Sequence, residues 1–200
     1  ENMKAEDERA AFIRQIIANP DNPLPRMVFA DYLPERGEPA VALRHNQWFN
    51  SGLESLLGRT VTKLGINRGR DVVTFTLQAT DPPPGSGELC RIAACGDCCS
   101  ESWFYRLRGV AHLLGNPVLH IVEIPVDDVD TNDGLCRQES DSVYGIGLVT
   151  AAGVFEIVYR CSSNGYYGGW LQSIDLPTDE STLEPVAADW THPPAPPTTP

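Results

Sequence analysis

The chain has 200 residues, 42% hydrophobic and 21% charged, which allows one large or two small globular domains. Its net charge of -12 argues against phosphate-backbone binding, because the one basic cluster is Arg68 with Arg70 and counterion release needs many clustered cations. No apolar run reaches the roughly 20 residues of a bilayer span, so nucleic acid and membrane are set aside as direct partners and a protein partner is expected.

Residues 1–50 carry eight acids and six bases, and the remainder carries nineteen acids and nine bases. The first segment reads as three short helices. Phe12, Ile13, Ile16 and Ile17 recur at helical spacing, and Asn19-Pro20-Asp21 stops that helix because proline lacks an amide donor. Pro25 opens a second helix carrying Val28, Tyr32 and Leu33, Gly37 suits a left-handed cap, and Pro39 opens a third. The start lacks the apolar stretch of a signal peptide, which leads to the expectation of a cytoplasmic protein.

From about residue 51 the period changes to that of strands. Arg59–Leu64, Asp71–Leu77 and Leu89–Ala94 are predicted strands. Ser102–Leu114 is predicted as an amphipathic helix, with Trp103, Leu107, Val110 and Leu114 along one stripe. Val118–Ile124 follows as a nearly unbroken apolar strand, expected at the centre of a sheet. The acidic segment Asp127 to Asp141 is expected to be the least ordered part before the tail. Val143–Thr150, Val154–Cys161 and Tyr167–Leu176 complete the strands, with Asn164-Gly165 as a hairpin signal. The predicted fold class is α+β: a helical module over 1–50, then a mostly antiparallel sheet in the order β-β-β-α-β-β-β-β with one packed helix over 51–176. Residues 177–200, rich in proline, are expected to form an unordered tail.

Six cysteines, two of them adjacent, suit reduced thiols better than a disulfide framework. Cys90, Cys95 and Cys98 have a ferredoxin-like spacing with Cys136 as a fourth ligand, but a strand over Leu89–Ala94 would point Cys90 and Cys95 to opposite faces. Zinc would draw on the Cys95 and Cys98 pair, with Cys99, His112 or His120 as completions, without the second tight pair that structural zinc shows. A reactive thiol would gain from Cys98 and Cys99 lying just before the predicted helix. Against it, Asp97 and Glu101 raise a thiol pKa, and the nearby bases are only His112 and His120. Buried or capping cysteines under the sheet are the simpler reading, and no cofactor is expected.

Two stretches carry a family likeness. AFIRQIIANPDNPLPRMVFADYLPERGEP resembles the short bacterial repeat-companion domain at Phe12, Arg14, Pro20, Arg26, Ala30, Asp31, Leu33, Glu35, Arg36, Gly37 and Pro39. The likeness implies an accessory module with no catalytic role. Residues 53–176 resemble an uncharacterised domain of bacteria and their phages, through Leu57 and Gly58, the Asp97-Cys98-Cys99 run with Glu101, Leu114-Gly115 and Pro117, and Ser163-Asn164-Gly165-Tyr166-Tyr167. Ser100 is inserted before Glu101, and Arg59 stands where that pattern has Lys. This resemblance implies an α+β fold.

The functional expectation is a non-enzymatic binding or adaptor protein. Its candidate surface is Asp97, Cys98, Cys99, Glu101, Ser163, Asn164, Tyr166 and Tyr167, where flat aromatics and hydrogen-bonding groups suit recognition. The alternative is a metal-binding or thiol-dependent enzyme using the 95–99 loop.

Overall fold

A computed structural model of the chain describes residue 15 and residues 51–79, 88–136, 138–165, 168–175 and 182–193. The described residues include ten strands: β1 (Val61–Asn67), β2 (Val72–Leu77), β3 (Glu88–Gly96), β4 (Ser100–Arg108), β5 (His120–Glu123), β6 (Ser140–Thr150), β7 (Gly153–Ser163), β8 (Gly169–Ser173), β9 (Leu183–Pro185) and β10 (Trp190–Thr191). They form two five-stranded sheets, ordered β8-β3-β2-β1-β9 and β10-β4-β7-β6-β5, and neighbouring strands pair antiparallel. No helix among the described residues is long and apolar enough to cross a membrane.

Period-two alternation explains the layering. Val73, Phe75 and Leu77 of β2 and Ile92 of β3 share one buried cluster with Phe104 and Leu107 of β4, Ile146 and Leu148 of β6, and Phe155, Ile157 and Tyr159 of β7. The two sheets therefore bury their apolar faces against each other. Each fully buried side chain of this size contributes about 1.5–3 kcal/mol.

The expected α+β class is overturned, and the fold is β-rich. Ser102–Leu114 is not a helix: Ser100–Arg108 is strand β4, and only Val110–Leu113 forms one helical turn, α1. The register between β4 and β7 shifts between Phe104 and Arg106, a bulge. A bulge adds one residue and breaks alternation. Phe104 and Leu107, three apart, therefore both reach the core, and the apolar spacing imitates a helix. The run Trp103-Phe104-Tyr105 is itself a strand preference. Gly109 then takes a left-handed φ of 75°, and a Cβ there would lie 2.4 Å from the Val154 carbonyl oxygen.

Three further expectations change. Val118–Ile124 contributes β5, which is an edge strand and not a central one. Asn164-Gly165 does not close a hairpin, because β7 and β8 lie in different sheets and β8 pairs with β3. Part of the proline-rich tail is ordered: β9 adds an edge to one sheet and β10 an edge to the other. Pro185 is tolerated there because an edge strand can spare an amide donor. Val186 is 4% exposed in the core, Glu184 receives two hydrogen bonds from Arg70, and the Asp189 carboxylate accepts the backbone N–H of Gly109 and Val110. The helical module expected over 1–50 lies, Gln15 apart, outside the described residues.

The acidic segment is a strap across the outer face of the second sheet. Arg160 alternates with the core residues Tyr159 and Cys161, so it points away from the core, yet it is fully buried. It bonds Asp133 at 2.5 Å and the Asp141 carboxylate, between the rings of Trp103 and Tyr105 at 5.3 and 4.9 Å. Arg106 grips Asp128 through two bonds of 2.9 Å. Burial alone would lower the Arg160 pKa, but the two carboxylates outweigh it and raise it, so the buried guanidinium stays charged.

Candidate functional site

The cysteine pair sits on the corner where the chain passes from one sheet to the other. β3 ends at Gly96, Asp97 to Cys99 turn, and β4 begins at Ser100. The Ser100 N–H donates to the Asp97 carbonyl at 2.9 Å and its hydroxyl donates to the same oxygen at 3.1 Å. Gly96 suits this approach, since a Cβ there would come within 2.4 Å of Ser100 Oγ. Cys98 and Cys99 are exposed, with their sulfurs 3.6 Å apart.

The second predicted element lies beside the first. Ser163, at the end of β7, is opposite Ser100 of β4 on one side and Ser140 of β6 on the other. Glu101 is opposite Ser162. Ser163 is buried and accepts the Gly165 N–H at 3.1 Å, which shapes the turn and leaves Asn164 exposed. Thus Asp97, Cys98, Cys99, Glu101, Ser163 and Asn164 gather at one end of the second sheet, joined by β4–β7 pairing in place of a packed helix. Tyr166 and Tyr167 lie outside the described residues.

The Cys98 thiol is not tuned for attack. No helix follows Cys98 and Cys99, so the dipole argument for a lowered pKa has no source. The hydrogen bond with Cys99, that residue's charge and Asp97 all push the Cys98 thiol up. Burial and the Asp71 carboxylate push Cys95 up. Burial also raises Cys90, which sits in the core against Ser55 Oγ at 3.3 Å. The expectation that the cysteines of this corner are buried or capping fails for Cys98 and Cys99, which are exposed, while Cys90 and Cys161 elsewhere are buried.

The proposed metal partners are not convergent. His112 lies on α1 against Gly153, so the nine-residue length of β4 separates it from Cys98 and Cys99. His120 is opposite Val149, at that same far end of the sheet. Cys136 lies by Ser162, its sulfur 3.3 Å from Ser162 Oγ, not by Cys90 or Cys95. Among the described residues, no group of three or more His, Cys, Asp or Glu side chains could hold a metal ion.

No family model matches the chain, and no solved structure matches it. It is 33% identical over 119 residues to "Uncharacterized protein L278" of Acanthamoeba polyphaga mimivirus, a match that covers 56% of this chain and 84% of the viral one. The chain belongs to the L278 family. The matched length exceeds the first 50 residues, so the likeness to L278 extends into the two-sheet unit.

Sequence reasoning missed the Arg160 cluster with Asp133, Asp141, Trp103 and Tyr105. Its signal was one arginine inside the apolar run Val154–Cys161. A charge in a run of that kind either pairs or unfolds the strand.

Proposed function

We propose that this chain is a non-enzymatic binding protein that engages a protein partner through the end of its second sheet. The observation that carries the reading is the pairing of Ser100 with Ser163, which brings the Asp97-Cys98-Cys99 corner and the Ser163-Asn164 turn side by side. The surface is exposed at Cys98, Cys99, Glu101 and Asn164, and it stands on strands that interior packing holds rigid. Exposed hydrogen-bonding groups on a rigid frame favour recognition, since little ordering entropy is lost on binding. The raised Cys98 thiol supports binding over nucleophilic catalysis at neutral pH. In this reading residues 1–50 act as the accessory module that their likeness to the repeat-companion domain implies, and the protein works in the cytoplasm of a bacterium.

Site-specific photo-crosslinking in extracts of the producing cell tests it. A photoreactive residue at position 164 is expected to give a discrete adduct with a protein. The same residue at position 154, exposed at the opposite end of β7, is expected to give none. Adducts of equal yield at both positions, or at 154 alone, would overturn the reading.

A further inference from the structure

We infer that Cys98 and Cys99 form a two-thiol binding site for a neutral trivalent arsenical. The inference goes beyond the protein-binding reading and does not depend on it. All six cysteines are free, and the other four are engaged elsewhere. Cys90 and Cys161 are buried, Cys136 bonds around Ser162 and Ser140, and the Cys95 thiol turns to the Ala93 carbonyl. Among the described residues, only the corner presents two exposed sulfurs together, 3.6 Å apart.

That separation selects among ligands. With bonds of about 2.3 Å, the length of a zinc–thiolate bond, sulfurs 3.6 Å apart subtend about 103° at a shared atom. A linear two-coordinate ion needs the sulfurs on opposite sides and does not fit. Tetrahedral zinc accepts the angle but needs four ligands, and no set of three or more ligands occurs among the described residues. A pyramidal three-coordinate centre that carries its own third substituent fits both the angle and the ligand count. A disulfide between the two is disfavoured, because adjacent Cα atoms lie about 3.8 Å apart, short of the about 4.4 Å at which ordinary disulfides begin.

Charge points the same way. The chain carries -12, and Asp97 and Glu101 flank the pair. A neutral arsenous species approaches without the repulsion that an anion meets. The step is a condensation: two As–S bonds form, two As–O bonds break, and each departing hydroxide leaves as water with one thiol proton. Arsenic stays trivalent and no electron is transferred.

The test uses the full chain, reduced and freed of reductant, titrated with phenylarsine oxide and read by intact mass and peptide mapping. One adduct per chain is expected, bridging Cys98 and Cys99 and released by a small dithiol but not by a monothiol. Cys98→Ser and Cys99→Ser should each weaken binding roughly a hundredfold or more, because the second bond is intramolecular. Cys95→Ser and Cys136→Ser should leave it unchanged. Equal affinity in the Cys98→Ser or Cys99→Ser variant, an adduct mapped to other cysteines, or no adduct would overturn the inference. Thermal melting of each variant separates loss of the site from loss of the fold.

Discussion

The strap over the second sheet and the corner at Cys98 and Cys99 are both polar and acid-bearing, yet the fold uses them oppositely. The strap helps bury one charge cluster while Asp127, Asp128 and Asp130 stay exposed: Arg160 is fully buried, and its partners Asp133 of the strap and Asp141 of β6 are 17% and 9% exposed. The corner keeps Cys98, Cys99 and Glu101 in solvent. Polar residues in an acidic sequence are thus not equally available for function. Those that pair on a sheet face hold the scaffold, and Cys98, Cys99, Glu101 and Asn164 at the sheet end stay exposed to solvent.

The largest effect that would sharpen this contrast is at Arg160. Arg160→Met leaves two carboxylates without their cation, and removing one partner of a buried pair costs about 3–5 kcal/mol. Urea unfolding should show that loss, and a change under 1 kcal/mol would break the contrast. Gly109→Ala comes next, at about 1–2 kcal/mol for the left-handed backbone, with the Val154 carbonyl clash added. The same unfolding curve checks it.

Acid should loosen the strap before it touches the corner. Burial pushes the Asp133 carboxyl up, but the Arg160 and Leu135 hydrogen bonds outweigh it, so its pKa is lowered. The Arg106 hydrogen bond lowers Asp128. A carboxyl depressed in the fold adds stability that is present above its unfolded pKa of about 3.9 and is lost as pH falls through the folded value. Melting temperature should therefore fall below about pH 4, and Asp133→Asn should flatten that slope. The smallest effect is expected at the corner. Replacing Cys98 and Cys99 with serine should shift stability within about 0.5 kcal/mol, as exposed positions do.

The strands were largely legible because alternation survives wherever one face is buried, as at Val73, Phe75 and Leu77. Alternation failed as a guide at β4, where the bulge made Phe104 and Leu107 mimic a helix stripe. Composition failed at Glu184 to Trp190: a proline-rich stretch can still donate edge strands when Arg70 and the core receive it. The neighbouring positions of corner and turn could not be read locally, because the link between them is long-range pairing of Ser100 with Ser163.

The pairing of corner with turn is tested most directly by a paramagnetic label on Cys99, in a variant with Cys95, Cys98 and Cys136 changed to serine. The amide signals of Asn164 and Gly165 should be broadened, while that of Val154, about 33 Å away along β7, stays sharp. A sharp Asn164 signal beside a broadened Val154 would contradict the β4–β7 register, and with it the shared recognition surface.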